Sequence, residues 1–335
     1  MRNTALVAGF VLLLTSFQIA TATAQSSPAA EAAARGQERL AGRSAADLHA
    51  AVQDFERATS ADARYAPGWA GLAEAHALLY DYASARQAAL QAISLDGNLA
   101  AAHAVLGFVR LHADWDWAGA GTELRRAVEL ESGRVTPHLW YAILLEVTGR
   151  SDEAVKEARR AVEIQPREAY VRAGLGYRLY WARRYDEAVT ELSSALELDP
   201  DLGTAHYFIG RARVQQGRFE EARTAFLRAR ELSPKDPNLD SAVAYLAALS
   251  GKRSEAKKTL SELEHLVGRG QAFASQAAGL RAALGDKAGA LASLDVALTH
   301  REGPMAWLKV DPRFDSLRGD PRFQAILRKM GLAEN

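Results

Sequence analysis

The sequence predicts an all-α protein: a superhelical solenoid of about seven to eight helix-turn-helix repeats, closed by a short helical C-terminal cap. Three observations carry that prediction. Alanine recurs at Ala51, Ala85, Ala120, Ala154, Ala188, Ala222, Ala256 and Ala290, at intervals of 34, 35, 34, 34, 34, 34 and 34 residues. Further small residues flank that column. Ala58, Ala92, Ala127, Ala161, Ala195, Ala229, Leu263 and Ala297 stand seven residues later, and Ala73, Gly107, Ala142, Gly176, Gly210, Ala244 and Ala278 stand twelve or thirteen before it. Finally, Gly149, Gly217, Gly251 and Gly285 fall where a first helix should end on a left-handed residue, and Pro166, Pro200 and Pro234 close the second helices.

At 335 residues the chain exceeds the usual size of one compact domain, so it is either several domains or one extended array. Its N-terminus carries Arg2, the uncharged run Ala5 to Leu14, and then Ala22-Thr23-Ala24 before Gln25. That order of charged, apolar and small residues predicts a signal peptide over 1–24, cleaved after Ala24, and a periplasmic or secreted mature protein. If the apolar run continues to Ile19 and stays uncleaved, it is a membrane anchor instead, since spans need ~20 apolar residues. Residues 25–31 form a linker.

Residues 32–65 form a degenerate first repeat. It has no small residue in register, because Gly36 falls three positions too early. The array proper covers 66–304. Within each repeat a small residue on each helix lets the two backbones approach closely, and larger apolar side chains fill the space beside them. Leu72, Leu106, Tyr141, Leu175, Ile209 and Val243 do this on first helices; Phe55, Leu124, Leu192, Phe226, Leu260 and Leu294 do it on second helices. One repeat has an extra residue between Gly107 and Ala120, so Asp114-Trp115-Asp116-Trp117 is expected to enlarge that turn.

Residues 305–335 carry Asp311-Pro312 and Asp320-Pro321. In each pair aspartate can cap a helix whose first residue is proline. The segment is expected to lie as a helical cap over the final repeat.

Period, small columns, turn glycines and closing prolines together resemble the tetratricopeptide repeat family, over roughly Ala32 to Pro304. The resemblance implies a right-handed superhelix that holds other proteins. The tail is similar to segments that follow such arrays in bacterial signalling proteins, behind a winged-helix, cyclase or kinase domain. A signal peptide stands in that place here, so the signalling role does not carry over.

Composition narrows the chemistry. The chain has no cysteine, which excludes disulfides, thiolate metal sites, a cysteine nucleophile and a lipidated N-terminal cysteine. Without residues 1–24 the 41 basic residues become 40 against 41 acidic, a balance that argues against a nucleic-acid partner. There is no His-Glu-x-x-His, no Gly-x-Ser-x-Gly and no phosphate loop. His103, His138 and His206 share one repeat position with Trp69, which makes them packing residues. Neither a catalytic set, a cofactor nor a metal is expected.

The expected function is therefore an exported scaffold that binds a protein or peptide partner. A membrane-tethered assembly factor is the alternative if the N-terminal segment stays in place, and an enzyme of unrecognised type ranks below both. In the implied superhelix a second stripe on the first helices lines the concave face. It places Phe108, Leu111 and His112, then Leu139, Ile143 and Glu146, then Tyr170, Tyr177, Tyr180 and Trp181 in a groove. Tyr207, Arg211, Gln215 and Tyr245 continue it. Tyrosine, tryptophan and arginine anchor interfaces because they bury a large area and keep a polar handle. Arg211 is the one strong cation on this track, which disfavours a clamp for a terminal carboxylate and favours an internal extended peptide or a helix.

Overall fold

The computed structural model describes residues 27–42, 44–234 and 236–333. The predicted signal peptide, and the cleavage point after Ala24, lie outside the described residues. All regular structure among the described residues is helical. Eight helix pairs follow in order: α1 Pro28–Gly42 with α2 Ala45–Ala61, α3 Ala66–Leu78 with α4 Tyr82–Leu95, and α5 Ala100–Val109 with α6 Trp117–Leu130. Next come α7 Val135–Val147 with α8 Ser151–Ile164, α9 Ala169–Trp181 with α10 Tyr185–Leu198, and α11 Gly203–Gln215 with α12 Phe219–Leu232. The last pairs are α13 Pro237–Leu249 with α14 Arg253–Gly268, and α15 Ala274–Ala283 with α16 Lys287–Thr299. The first helix of each pair packs on the first helix of the next, so α1 to α15 form one continuous inner layer. Helix begins at Pro28, inside the stretch expected to be linker.

The small columns do what their spacing implies. A Cβ built on Gly107 would lie 2.6 Å from Leu124 Cγ, one on Gly176 2.5 Å from Leu192 Cγ, and one on Gly210 2.5 Å from Phe226 Cε1. In these pairs the second-helix side chain occupies the space a side chain on the first helix would need. Gly36 makes the same contact, its Cβ position lying 2.9 Å from the Phe55 ring. The first pair is therefore locked like the others, and its shifted spacing is absorbed at the start of α2, a helix of 17 residues that begins at Ala45, well ahead of Ala51, where α4 has 14 residues.

The turn position has positive φ at Gly149, Gly217, Gly251 and Gly285, as expected, and also at Tyr80, Trp115 and Arg183. The left-handed region is costly for a side-chain-bearing residue. The extra residue near 114 does not lengthen a loop. It widens the end of α5 into a π-helical turn, Arg110–Asp114, which ends at Trp115.

The shared histidine position ties successive repeats. Trp69 Nε1 donates to Ala63 O at 2.9 Å. His103 Nε2 reaches Gly97 O at 3.1 Å, His138 Nε2 reaches Ser132 O at 3.0 Å, and His206 Nε2 reaches Pro200 O at 3.0 Å. Each satisfies a carbonyl in the turn that follows the preceding helix, just beyond its cap.

The C-terminal segment departs from expectation. Two 3-10 turns, Gly303–Trp307 and Pro312–Leu317, precede α17, Pro321–Lys329, and the Asp-Pro pairs start the second turn and α17 as predicted. Phe314, Phe323 and Leu327 do cover α15 and α16. The segment is more than a cap, however, because it crosses the inner layer as a strap. Trp307 reaches Glu146 on α7, Asp311 reaches Arg211 on α11, and Asp315 pairs with Arg183 through two bonds of 2.6 and 2.7 Å. Trp117 Nε1 donates to Met330 O at 2.6 Å, and Arg301 Nη2 to Asp114 O at 2.6 Å. Burial of an aromatic inner surface and pairing of its charges favour this path over a terminal cap.

Candidate binding cavity on the concave face

Between strap and inner layer lies a cavity of about 850 Å³, within the usual size of a ligand site. Phe108 of α5, His112 of the π turn and Ile143 of α7 form one end. Tyr177, Arg178, Tyr180 and Trp181 of α9, then Tyr207, Phe208, Arg211 and Gln215 of α11, form the centre. Asn238, Ser241 and Tyr245 of α13, with Ser275 and Gln276 of α15, form the other end. Trp307, Asp311 and Arg313 of the strap close it over. Tyr80 and Phe273, both exposed, stand where the lining meets solvent.

The predicted track divides. Phe108, Ile143, Tyr177, Tyr180, Trp181, Tyr207, Arg211, Gln215 and Tyr245 are brought together around the cavity. Leu111, Leu139 and Tyr170 are not. Leu111 is fully buried among core side chains at the π turn, while His112, next to it on the predicted stripe, does line the cavity. Leu139 and Tyr170 pack together near Val135, Ala161 and Val171.

The charged groups are buried with their partners. Glu146 is 1% exposed and accepts from Arg178 Nε and from the Trp307 indole N–H. Burial pushes its carboxyl up to about 7, against the opposing pull of Arg178, Trp307 and Arg211. Asp311 shows the other balance: burial would raise it, but Arg313 and Arg211 outweigh burial and hold it low. Arg211 lies 4.7 Å from the Tyr180 and Trp181 ring centroids and within 5.7 Å of Tyr207. His112 is lowered to about 4 by burial and is therefore a neutral imidazole in the wall. His112 Nε2, Tyr180 Oη, Ser275 Oγ and Gln276 Oε1 are buried without a hydrogen-bond partner in the protein.

Sequence reasoning missed several lining residues. Phe208 lies 4.4 Å from Tyr177 and 5.4 Å from Tyr180 between ring centroids, yet its repeat position sits beside the stripe rather than on it. Ser275 and Gln276 carry no periodic signal. Trp307 and Asp311 belong to a non-repeating segment, where only the juxtaposition of an aromatic ring and an acid could have drawn attention.

Among the described residues no helix is long and apolar enough to cross a membrane, and no group of three or more histidine, acidic or cysteine side chains could hold a metal.

Known proteins agree on the architecture. A family model described as the tetratricopeptide repeat matches residues 174–237. Human IFIT1, solved as a dimer with m7Gppp-AAAA, superposes with a TM-score of 0.58 at 15% identity, over 80% of this chain and 71% of that one. The Cut9-Hcn1 assembly gives 0.54 at 17% identity, over 70% of this chain and 43% of that one. PilF of Pseudomonas aeruginosa gives 0.49 at 18% identity, over 60% and 91%. No curated protein matches the chain. At these identities the likeness to the first two is one of fold.

Proposed function

We propose, from the premise that this chain is a tetratricopeptide-repeat protein, that it is an exported protein-interaction scaffold whose concave cavity takes a segment of a partner polypeptide. One observation carries this most directly. The concave face already holds a polypeptide, its own strap, through an indole stacked 6.2 Å from Trp181 and a buried aspartate beside Arg211. Aromatic rings and arginine converging in one groove are what anchor binding energy at interfaces. Export rests on the leader-like residues at the N-terminus, and retention of that segment would make the same scaffold membrane-tethered. Intact mass separates the two, since a mature chain starting at Gln25 excludes the anchor.

The test is affinity capture from an envelope fraction with the mature chain, beside a Tyr207→Ala, Tyr245→Ala variant. Trp181 is left in place because it is 7% exposed and supports the strap, so its loss would confuse folding with binding. Partners retained by the parent and lost by the variant, at matched helicity and melting, support the assignment. Identical partner lists would sink it.

A further inference from the structure

We propose that the cavity between the inner helices and the strap binds a hydroxylated aromatic carboxylate, its ring among Trp181, Tyr207 and Phe208 and its carboxylate on Arg211 and Tyr180. The proposal rests on the concave cavity being the chain's binding site, and it goes further by naming what that site recognises.

Arg211 is 9% exposed, and its hydrogen bond to Asp311 Oδ1 is long, at 3.4 Å. Asp311 is already engaged by Arg313, which donates from Nη2 at 2.6 Å, from Nε at 2.9 Å and from its backbone N–H at 3.0 Å. A guanidinium has five N–H donors in a planar fork matched to a carboxylate. Buried beside aromatic faces with one long bond, Arg211 is short of acceptors. The local charge count agrees. Arg178, Arg211 and Arg313 stand against Glu146 and Asp311, three against two even with Glu146 fully ionised, so at least one negative charge is needed to balance the site.

The second observation is independent. Tyr180, Ser275 and Gln276 are 0%, 3% and 4% exposed and line the cavity, yet Tyr180 Oη, Ser275 Oγ and Gln276 Oε1 have no protein partner. Buried polar atoms are ordinarily satisfied. Tyr180 can donate to a carboxylate whose other contacts come from Arg211, 4.7 Å from its ring. Gln276 Oε1 is an acceptor, and the bond its Nε2 donates to Asn238 Oδ1 fixes the amide this way round, so a ligand that reaches it must bring a donor such as a hydroxyl. Rings on several sides exclude a purely aliphatic acid as the best fit.

The same chemistry occurs in a free phenolic acid and in a polypeptide ending in tyrosine, a terminal carboxylate that the lone arginine of the track had disfavoured before Arg178 and Arg313 joined it in the lining, and the experiment has an arm for each. Titration calorimetry of the mature full-length chain with 3-(4-hydroxyphenyl)propionate, its primary amide, and a short peptide ending in tyrosine reads the site directly. Saturable binding of the free acid or of the peptide, with the amide much weaker, is the expected result, and whichever binds identifies the source. Tyr180→Phe removes one hydroxyl and keeps the packing, and should weaken binding by about tenfold, as loss of one buried hydrogen bond does. Arg211→Gln should weaken it by roughly a hundredfold. Melting curves of both variants separate a lost site from a lost fold. Equal affinity for acid and amide, binding unmoved by Tyr180→Phe, or no binding of either acid or peptide would overturn the proposal. In that last case partner capture that still depends on Tyr207 and Tyr245 would leave the scaffold function standing.

Discussion

The Trp307 indole N–H donates to the Glu146 carboxyl, joining the strap to a helix 161 positions earlier in the chain. The same indole stacks on Trp181 and lies 5.9 Å from the His112 ring. Trp307→Ala removes all three contacts at once. It should cost about 3 kcal/mol, the low end for losing a packed tryptophan since this one is only partly buried. Urea unfolding followed by circular dichroism measures it. A cost below about 0.5 kcal/mol, the range of ordinary surface substitutions, would mean these indole contacts contribute nothing to stability.

Glu146 should make stability depend on pH. A carboxyl whose folded value is raised binds its proton more tightly in the folded state, so its contribution is full below the ordinary value of 4.5 and is lost as pH rises toward about 7. The difference is on the order of 3 kcal/mol. His138 acts in the same sense at higher pH. Burial disfavours its charge, but bonds to Glu157 and to the Ser132 carbonyl raise it overall, so its stabilisation is full below 6.5 and fades above. Melting temperature should fall between pH 5 and pH 8, and Glu146→Gln should flatten the lower part of that fall. An unchanged slope in the variant would refute the assignment.

Two of the left-handed residues that are not glycine, Tyr80 and Arg183, should respond differently to glycine. Tyr80 is 70% exposed, so Tyr80→Gly relieves backbone strain of about 1 kcal/mol while removing little packing. Arg183→Gly relieves the same strain but breaks the exposed bidentate pair with Asp315, worth up to about 1 kcal/mol, so the two should nearly cancel. Denaturation midpoints of both variants decide it. Destabilisation by Tyr80→Gly would show that its ring at the cavity edge packs more than its exposure suggests.

Gly210→Ala places a methyl 2.5 Å from the Phe226 ring and should cost about 2 kcal/mol through overpacking. Gly133, with nothing within 4 Å and no positive φ, should accept alanine without loss. Thermal melts of the pair compare a helix-contact glycine with a merely permissive one.

What could be read from sequence was whatever repeats locally. Ala85 and Ala120 are fully buried, and Gly217 and Gly251 take the left-handed turn, because each repeat folds against its immediate neighbours and leaves a mark every 34 or 35 residues. The π turn was visible only as one surplus residue, not as the register shift that takes Leu111 into the core and leaves His112 in the cavity wall. Tyr80, Trp115 and Arg183 were passed over because the turn position was sought by its glycines. The strap was illegible. Trp307 meets Glu146, and Asp315 meets Arg183 132 positions away, and contacts that occur once at such separation leave no pattern along the chain.

The strap also changes how the molecule should yield to force. An open coil of stacked repeats behaves like a spring, extending as each junction flexes and losing units one at a time from its ends. Here bonds from 301, 307, 315 and 330 fasten the far end of the coil to residues 114, 146, 183 and 117. That clasp makes a closed hoop of everything from the π turn onward and leaves the first two helix pairs outside it as an arm, tied to the hoop by side-chain bonds such as Arg86 to Asp114. Pulled from its two ends, the chain should give first in that arm, then resist, and then release the hoop in a single large step when the clasp opens.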